Sequence, residues 1–192
     1  FLGGLGFIRF GVDLLEYHQK KKMTIHSKIA LTVTGTLLLG GFVVFFFTEH
    51  NGATLVEGNM FQRLANTFFM SVTPRTAGYY SVDYLHMSHA GLILTMFLMY
   101  IGGTSGSTAG GLKTTTLGVL LIQMRSMLKG RTRAEAFGRT IRQGAVLRAL
   151  TLFFITLTLC VVAIMILSVT ETIPKTSGIE YIAFEVFSAF GQ

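Results

Sequence analysis

Two short turns carry backbone groups that could replace the water around a cation. They read GLGF at residues 4–7 and TAGY at residues 76–79. Rings of backbone carbonyls can take the place of a hydration shell when several inward-folded turns meet at one axis. Glycine suits such turns because it adopts backbone conformations that residues with a Cβ avoid. We predict that six residues coordinate the ion through their carbonyl oxygens: Gly4, Leu5, Gly6, Thr76, Ala77 and Gly78.

Neither turn is specific by itself. The segment TAGY resembles the Thr-Val-Gly-Tyr type of potassium filter, and GLGF resembles it more loosely. A four-residue pattern of small residues and one glycine also recurs by chance, so an ordinary surface turn is the alternative for TAGY. Whether TAGY is a filter turn or a surface turn therefore depends on the elements that flank it.

The stretch from Tyr100 to Lys113, YIGGTSGSTAGGLK, interrupts a long apolar run. If a helix begins near His89, Tyr100 lies roughly 17 Å along it, inside the membrane. Each glycine weakens a helix by roughly 1 kcal/mol relative to alanine, and irregular backbone at that depth needs a water-filled cavity. We predict a movable gate loop that ends at Lys113, which is either part of the gate or an inner-face anchor. Its other residues are Gly102, Gly103, Thr104, Ser105, Gly106, Ser107, Thr108, Ala109, Gly110 and Gly111.

The gate loop has two rival interpretations. Gly103–Gly106 reads GTSG, which matches the GxSG pattern of rhomboid-type intramembrane serine proteases. A serine nucleophile needs a histidine base within reach, and all five histidines precede Ser105 in the chain. A phosphate-binding P-loop would need glycine directly before Lys113, where Leu112 stands instead. The P-loop is excluded, and the protease stays as the alternative function.

The composition indicates a membrane protein. The 192 residues are 51% apolar and 13% charged, whereas soluble domains carry about 25% charged residues. The net charge of +7 lies mainly in residues 20–28 and 113–148, between apolar runs. That distribution is typical of cytoplasmic loops and argues against nucleic-acid binding. The single cysteine, Cys160, excludes a disulfide within the chain and a zinc site built from cysteines.

Three uncharged runs are long enough to cross a bilayer: residues 29–48, 84–112 and 149–170. The segments between them alternate between basic and acidic or neutral. By the positive-inside rule, the first run leads outward, the second inward and the third outward. We therefore predict an all-α, multi-pass integral membrane protein.

Two outer segments are too apolar for solvent and too short to cross and return as two helices. Residues 59–80 and 177–192 each combine a short aromatic helix with a glycine-bearing turn. A short helix that dips into the membrane and returns as extended chain explains both segments, and an interfacial amphipathic helix is the alternative for the first. The order of elements repeats along the chain, so the sequence predicts copies of a helix–re-entrant loop–helix unit.

Three stretches resemble the Ktr/Trk/HKT superfamily of potassium transporters: SVTPRTAGYYSVD, IGGTSGSTAGGLKTTT and FEVFSAFG. The resemblance is greatest to the Ktr membrane subunit and runs over nearly the whole chain. It implies four helix–re-entrant loop–helix repeats around one pore, potassium uptake, no enzymatic activity, and a gate formed by the interrupted inner helix of the third repeat.

The same resemblance divides the chain into parts of three repeats. Residues 1–28 correspond to the filter turn, inner helix and cytoplasmic loop of repeat two, and residues 29–130 to repeat three. Residues 131–192 correspond to a cytoplasmic loop, the first helix and the pore helix of repeat four. We expect the first repeat and the fourth filter turn to be missing, as in an internal piece of a longer protein.

The resemblance also implies partners and a location. The intact protein is expected in the bacterial inner membrane as a homodimer, docked on a cytoplasmic ring of nucleotide-binding, RCK-type regulatory subunits. The basic segments 19–28 and 113–148 are available for that contact or for anionic lipid of the bilayer. The transported ion would be K⁺, with Na⁺ coupling left open and no organic cofactor in this chain.

Overall fold

The structure is a computed structural model that describes residues 24–49, 59–74, 87–104, 110–131, 133–170 and 178–191. These residues form mainly helices, which confirms the predicted all-α class. In chain order the elements are α1 (Ile25–Thr48), α2 (Met60–Val72), α3 (His89–Tyr100), α4 (Thr114–Leu128), β1 (Glu135–Ala136), β2 (Arg139–Thr140), α5 (Gln143–Thr170) and α6 (Ile179–Gly191).

Helices α1 and α5 are long and apolar enough to span a membrane. They contain 24 and 28 residues, which corresponds to about 36 and 42 Å of helix against a hydrocarbon core of roughly 30 Å. Most side chains of α5 are exposed, as expected for a helix with a large lipid-facing surface. The runs predicted at residues 29–48 and 149–170 form helices long and apolar enough to cross, and both helices begin a few residues earlier than predicted.

The middle apolar run, residues 84–112, does not form one helix. Helix α3 ends at Tyr100, and the chain becomes helical again at Thr114. The residue after α3, Ile101, is extended, with φ −93° and ψ 90°. The helix is therefore interrupted over the glycine-rich stretch, where the sequence predicted the interruption.

The basic pattern of residues 113–148 predicted an inner loop, whereas the resemblance assigned residues up to 130 to repeat three with its interrupted inner helix. Helix α4 occupies 15 residues of this segment, and β1 pairs with β2 as an antiparallel hairpin. The hairpin turn contains Phe137 and Gly138, both with positive φ, the conformation that a tight two-residue turn requires. Gly130, with φ +71°, follows α4 in the left-handed conformation common after helix ends.

The short helices α2 and α6 contain 13 residues each and occupy the two outer segments. Near the end of α2, the Ser71 hydroxyl donates to the Leu38 carbonyl of α1 at 2.8 Å. Leu38 lies ten residues before the end of α1, about 15 Å along its axis. Helix α2 thus ends beside the middle of a membrane-spanning helix.

Helix α6 runs beside α3 in the same direction. Near their first residues, His89 Nδ1 and Glu180 Oε2 lie 2.9 Å apart. Near their last residues, the backbones touch, because a Cβ on Gly191 would lie 2.6 Å from the Met99 carbonyl oxygen. The two helices therefore start and end together.

Two apolar clusters hold these helices in place. One joins α1, α2 and α3 through Phe45, Met70, Met87 and Leu98. The other surrounds the helix interruption and consists of Tyr100, Ile101, Leu112, Cys160, Ile182 and Val186. The second cluster brings α3, α5 and α6 together at the predicted gate loop.

Candidate functional site

The candidate site is the gate loop between α3 and α4. The structure describes its two ends, residues 101–104 and 110–113, and its middle, Ser105 to Ala109, lies outside the described residues. The six predicted coordinating residues also lie outside the described residues: Gly4, Leu5, Gly6, Thr76, Ala77 and Gly78. The described geometry therefore concerns the stem of the loop, which we define as residues 100–104 and 110–114.

The two sides of the stem are paired through backbone hydrogen bonds. Ile101 and Leu112 form a parallel β-bridge. The Leu112 N–H donates to the Tyr100 carbonyl at 2.8 Å, and the Thr114 N–H donates to the Gly103 carbonyl at 3.0 Å. The two sides of the stem therefore run in the same direction at this bridge. These hydrogen bonds pair backbone groups that have no partner within the interrupted helix.

Two stem positions require glycine. A Cβ on Gly102 would overlap the Gly110 carbonyl oxygen, so only hydrogen fits at that position. Gly111 has φ +71°, a conformation that residues with a side chain rarely adopt, and a Cβ there would lie 2.8 Å from the Gly102 nitrogen. The glycines predicted to make the loop movable therefore also allow close backbone contact at its base.

The stem is attached to the C-terminal end of α6. The Gly111 N–H donates to the Phe190 carbonyl at 2.9 Å. Together with the contact between Gly191 and Met99, this bond joins the backbone of the stem to the last turn of α6. The gate loop and the short outer helix of the next predicted repeat consequently share one backbone interface.

Tyr100 fixes the upper end of the stem to α5 and α6. Its hydroxyl lies 2.8 Å from Thr156 Oγ1 and donates to the Phe153 carbonyl at 3.2 Å. Its ring stacks on Phe190 with centroids 5.7 Å apart and packs edge-on against Phe187 at 5.9 Å. The buried hydroxyl has partners on a neighbouring helix, so the residue is well satisfied in its apolar surroundings.

The electrostatics at the stem favour a cation. Helices α3 and α6 end side by side, and the C-terminal end of a helix carries roughly half a negative charge. No cluster of three His, Cys, Asp or Glu side chains that could hold a metal occurs among the described residues. The described part of the stem thus offers backbone carbonyls and threonine hydroxyls as oxygen ligands.

Thr104, Lys113 and Thr114 lie at the inner side of the stem. Thr104 is 2% exposed and Thr114 is fully buried. No described residue bonds to Thr114 Oγ1, and a water molecule beside the loop would satisfy such a group. Lys113 is half-buried, and its carbonyl accepts the Thr116 N–H at 2.9 Å in the first turn of α4.

Comparison with known proteins assigns the family. The profile of the TrkH family, described as cation transport protein, matches residues 12–192. The chain belongs to the TrkH family. A crystal structure of the potassium transporter TrkH from Vibrio parahaemolyticus superposes on 99% of the chain and 41% of its own, with a TM-score of 0.68 and 17% identity. At that identity the likeness shows the fold alone.

Two curated relatives are similar over 98% of the chain. The potassium/sodium uptake protein NtpJ of Enterococcus hirae is 80% identical over 189 residues. The Ktr system potassium uptake protein B of Bacillus subtilis is 35% identical over 192 residues. The chain spans 42% of the length of each relative. The family is one of transporters, and the comparisons give the protease alternative no support.

Proposed function

We propose that this chain is the pore region of a protein that takes up potassium across the bacterial plasma membrane. The names of the relatives support the ion: one is called a potassium/sodium uptake protein and another a potassium uptake protein. The single observation that carries the proposal is the stem, where an interrupted helix, a second helix end and paired backbone meet at membrane depth.

Helices α2 and α6 act as pore helices in this proposal. Each has 13 residues, about 20 Å of helix, which reaches roughly the middle of a bilayer from its outer surface. The bond from Ser71 to Leu38 and the shared ends of α3 and α6 support that depth. Their C-terminal ends then point inward and stabilise a cation that has lost its water.

The filter consists of carbonyl oxygens in the turns that follow such pore helices. Thr76, Ala77 and Gly78 come shortly after α2 ends at Val72, and Gly4 to Gly6 form the equivalent turn of the preceding repeat. These carbonyls replace the hydration shell of K⁺. The gate loop lies below them and closes the pathway on the inner side.

Three further features belong to the intact protein. We propose that it is a homodimer and that it docks on a cytoplasmic ring of nucleotide-binding subunits. The basic segments 19–28 and 113–148 supply side chains for that contact at the inner surface, among them the exposed Arg142 and Arg148. Sodium coupling accompanies potassium uptake if this protein resembles its relative named for both ions.

The filter is tested by Gly78→Ser in the intact transporter, reconstituted into vesicles. A side chain with a Cβ disturbs the turn and rotates a carbonyl away from the ring. The selectivity for potassium over sodium should therefore fall about tenfold, the equivalent of 1.4 kcal/mol. The measurement is the ratio of K⁺ to Na⁺ flux.

A matched control is Gly35→Ser on α1, where a Cβ would have no atom within 4 Å. The control should keep the selectivity of the unmodified protein. An unchanged flux ratio in a well-folded Gly78→Ser protein would contradict the proposed filter.

A further inference from the structure

An elongated groove lies between α1 and α4 at the inner end of the structure. Its volume is about 520 Å³, within the range of about 300–1,000 Å³ typical of ligand sites. The helices meet at Gly118, where a Cβ would overlap Ile29 Cγ2, and the groove follows the two helix faces from that contact. Apolar side chains line both walls: Ile29, Val33 and Leu37 on α1, and Leu117, Leu121 and Ile122 on α4.

The polar atoms of the α1 wall are largely used within the helix. The Thr36 hydroxyl donates to the Thr32 carbonyl of its own helix at 2.8 Å. The Thr36 side chain therefore contributes mainly its methyl group to a largely aliphatic wall, and Thr32 is exposed at its edge. A hydrocarbon chain fits such a surface, because burial of apolar area is favourable and no unpaired polar group is left behind.

One end of the groove is strongly basic. Arg125, Lys129 and Arg131 line it, and Lys28 Nζ lies 5.7 Å from the ring of Phe137, another lining residue. Among the described residues that line the groove, Glu135 is the only acid, and it bonds to Arg131 at 2.6 Å. Four cations against one carboxylate leave three positive charges, and Arg125 and Lys129 are exposed.

The groove has the depth of one membrane leaflet. Its basic end lies beside Lys28, at the start of α1, which the positive-inside rule assigns to the cytoplasmic surface. Its apolar end reaches Leu37, nine residues farther and about 13 Å along α1. Half of a hydrocarbon core is roughly 15 Å thick, so the apolar length of the groove matches an acyl chain of the inner leaflet.

We propose that the groove binds an anionic glycerophospholipid from the inner leaflet. One acyl chain lies between α1 and α4, and the phosphate is held by Arg125 and Lys129. The combination of an aliphatic cleft with a basic rim at headgroup level selects this occupant, since a zwitterionic lipid brings its own cation beside these basic side chains and an anionic lipid does not. Because α4 begins directly below the gate loop, a lipid bound against α4 stabilises the position of the helix that follows the gate.

The proposal is tested by lipid binding to the intact, detergent-purified transporter, measured by native mass spectrometry during titration with phosphatidylglycerol or phosphatidylcholine. The readout does not depend on the transported ion. Arg125→Gln/Lys129→Gln should weaken phosphatidylglycerol binding about 25-fold, since each basic residue near a membrane surface contributes about a factor of five. Phosphatidylcholine binding should change little.

Three further variants complete the experiment. Thr32→Phe fills the groove without changing charge and should also weaken phosphatidylglycerol binding. Arg125→Lys/Lys129→Arg keeps both charges and should bind like the unmodified protein. Arg142→Gln/Arg148→Gln removes two exposed cations from another part of the inner surface and should have no effect on the site.

Several results would overturn the proposal. One is unchanged phosphatidylglycerol binding in both Arg125→Gln/Lys129→Gln and Thr32→Phe. Another is an equal loss in the Arg142→Gln/Arg148→Gln control, which would indicate attraction by general surface charge. A change from dimer to monomer in the groove variants with lipid binding intact would assign the groove to a second copy of the protein. If Arg125→Gln/Lys129→Gln does not fold, phosphatidylglycerol binding by Thr32→Phe, a change at an exposed position, is sufficient to test the proposal.

Discussion

At the residue scale, the base of the gate loop depends on the absence of a side chain at Gly102. We predict that Gly102→Ala destabilises the protein by about 1–3 kcal/mol, because its Cβ would overlap the Gly110 carbonyl and the backbone has to move. The displaced stem should hold the loop less firmly and raise potassium flux. Thermal unfolding of the purified protein and flux in vesicles measure the two effects.

The control for this change is Gly35→Ala, since a Cβ at Gly35 has open space around it. Alanine there should leave flux unchanged and stabilise α1 slightly, because it favours helix more than glycine does. A Gly102→Ala protein with normal stability and normal flux would show that the stem tolerates a side chain and that its tight backbone contact is unimportant.

The role of individual residues could be predicted where it is local. The glycine content of residues 102–111 was enough to predict an interruption, since glycine disfavours helix whatever surrounds it. The function of Tyr100 was not predictable, because its partners Thr156 and Phe190 lie more than fifty residues away in sequence. Nothing in the local pattern distinguishes this tyrosine from an ordinary membrane aromatic.

At the element scale, Glu49 connects the end of α1 to the start of α3. Its side chain is fully buried, and Glu49 Oε1 accepts the Ser88 N–H at 3.1 Å as well as the Ser88 hydroxyl. A carboxylate at this place satisfies a free N–H and interacts favourably with the positive end of α3. The two helices are therefore joined at their outer ends by one acidic side chain.

We predict that Glu49→Gln costs about 1 kcal/mol, because it keeps the hydrogen-bond acceptor and loses the charge. Glu49→Ala should cost about 2–3 kcal/mol, because it leaves two half-buried Ser88 donors without their acceptor. The measurement is the midpoint of thermal unfolding. Glu135→Gln, which removes a salt bridge between exposed side chains, is the control and should change stability by less than about 1 kcal/mol.

If Glu49→Ala and Glu135→Gln have equal effects, the buried carboxylate does not join α1 to α3. In the sequence, Glu49 stands out only as an acidic residue after the first apolar run, on the side assigned to the outside. Burial of a single carboxylate depends on tertiary contacts with Ser88, which lies 39 residues away, and hydropathy does not report such contacts.

Whole elements were also predictable where a local property determines them, and not where tertiary contacts do. Helices α1 and α5 were predictable because length and hydropathy alone decide whether a segment crosses a bilayer. The hairpin was missed, since its basic residues indicated a cytoplasmic loop without revealing its structure. Helix α4 was indicated only by the resemblance, as part of the interrupted inner helix of repeat three. A positive-inside pattern assigns a segment to one side of the membrane and does not indicate its secondary structure.

At the scale of the whole molecule, the stem defines which residues can be removed from the gate. Gly102 and Gly110 are in contact, so a chain that joins Thr104 directly to Gly110 would span the gap as a four-residue turn. We predict that deleting Ser105 to Ala109 raises potassium flux through the intact transporter, because it removes the barrier and keeps the stem. Flux in vesicles, with and without the deletion, measures this effect.

Potassium selectivity supplies the control for the deletion. It should remain unchanged, since the proposed filter turns lie elsewhere in the chain. Loss of transport in a well-folded deletion variant would contradict the gate, and loss of selectivity with normal flux would place the deleted residues in the filter.

The bond from Gly111 to Phe190 has a consequence for biogenesis. The stem enters the membrane during translation, but the carbonyl that accepts the Gly111 N–H is made about eighty residues later. At bacterial rates of about 5–20 residues per second, the ribosome needs roughly 4–16 s to supply it. For that interval the nascent chain holds a broken helix without its final partner, so chaperoning by the insertion machinery matters most between the synthesis of these two residues.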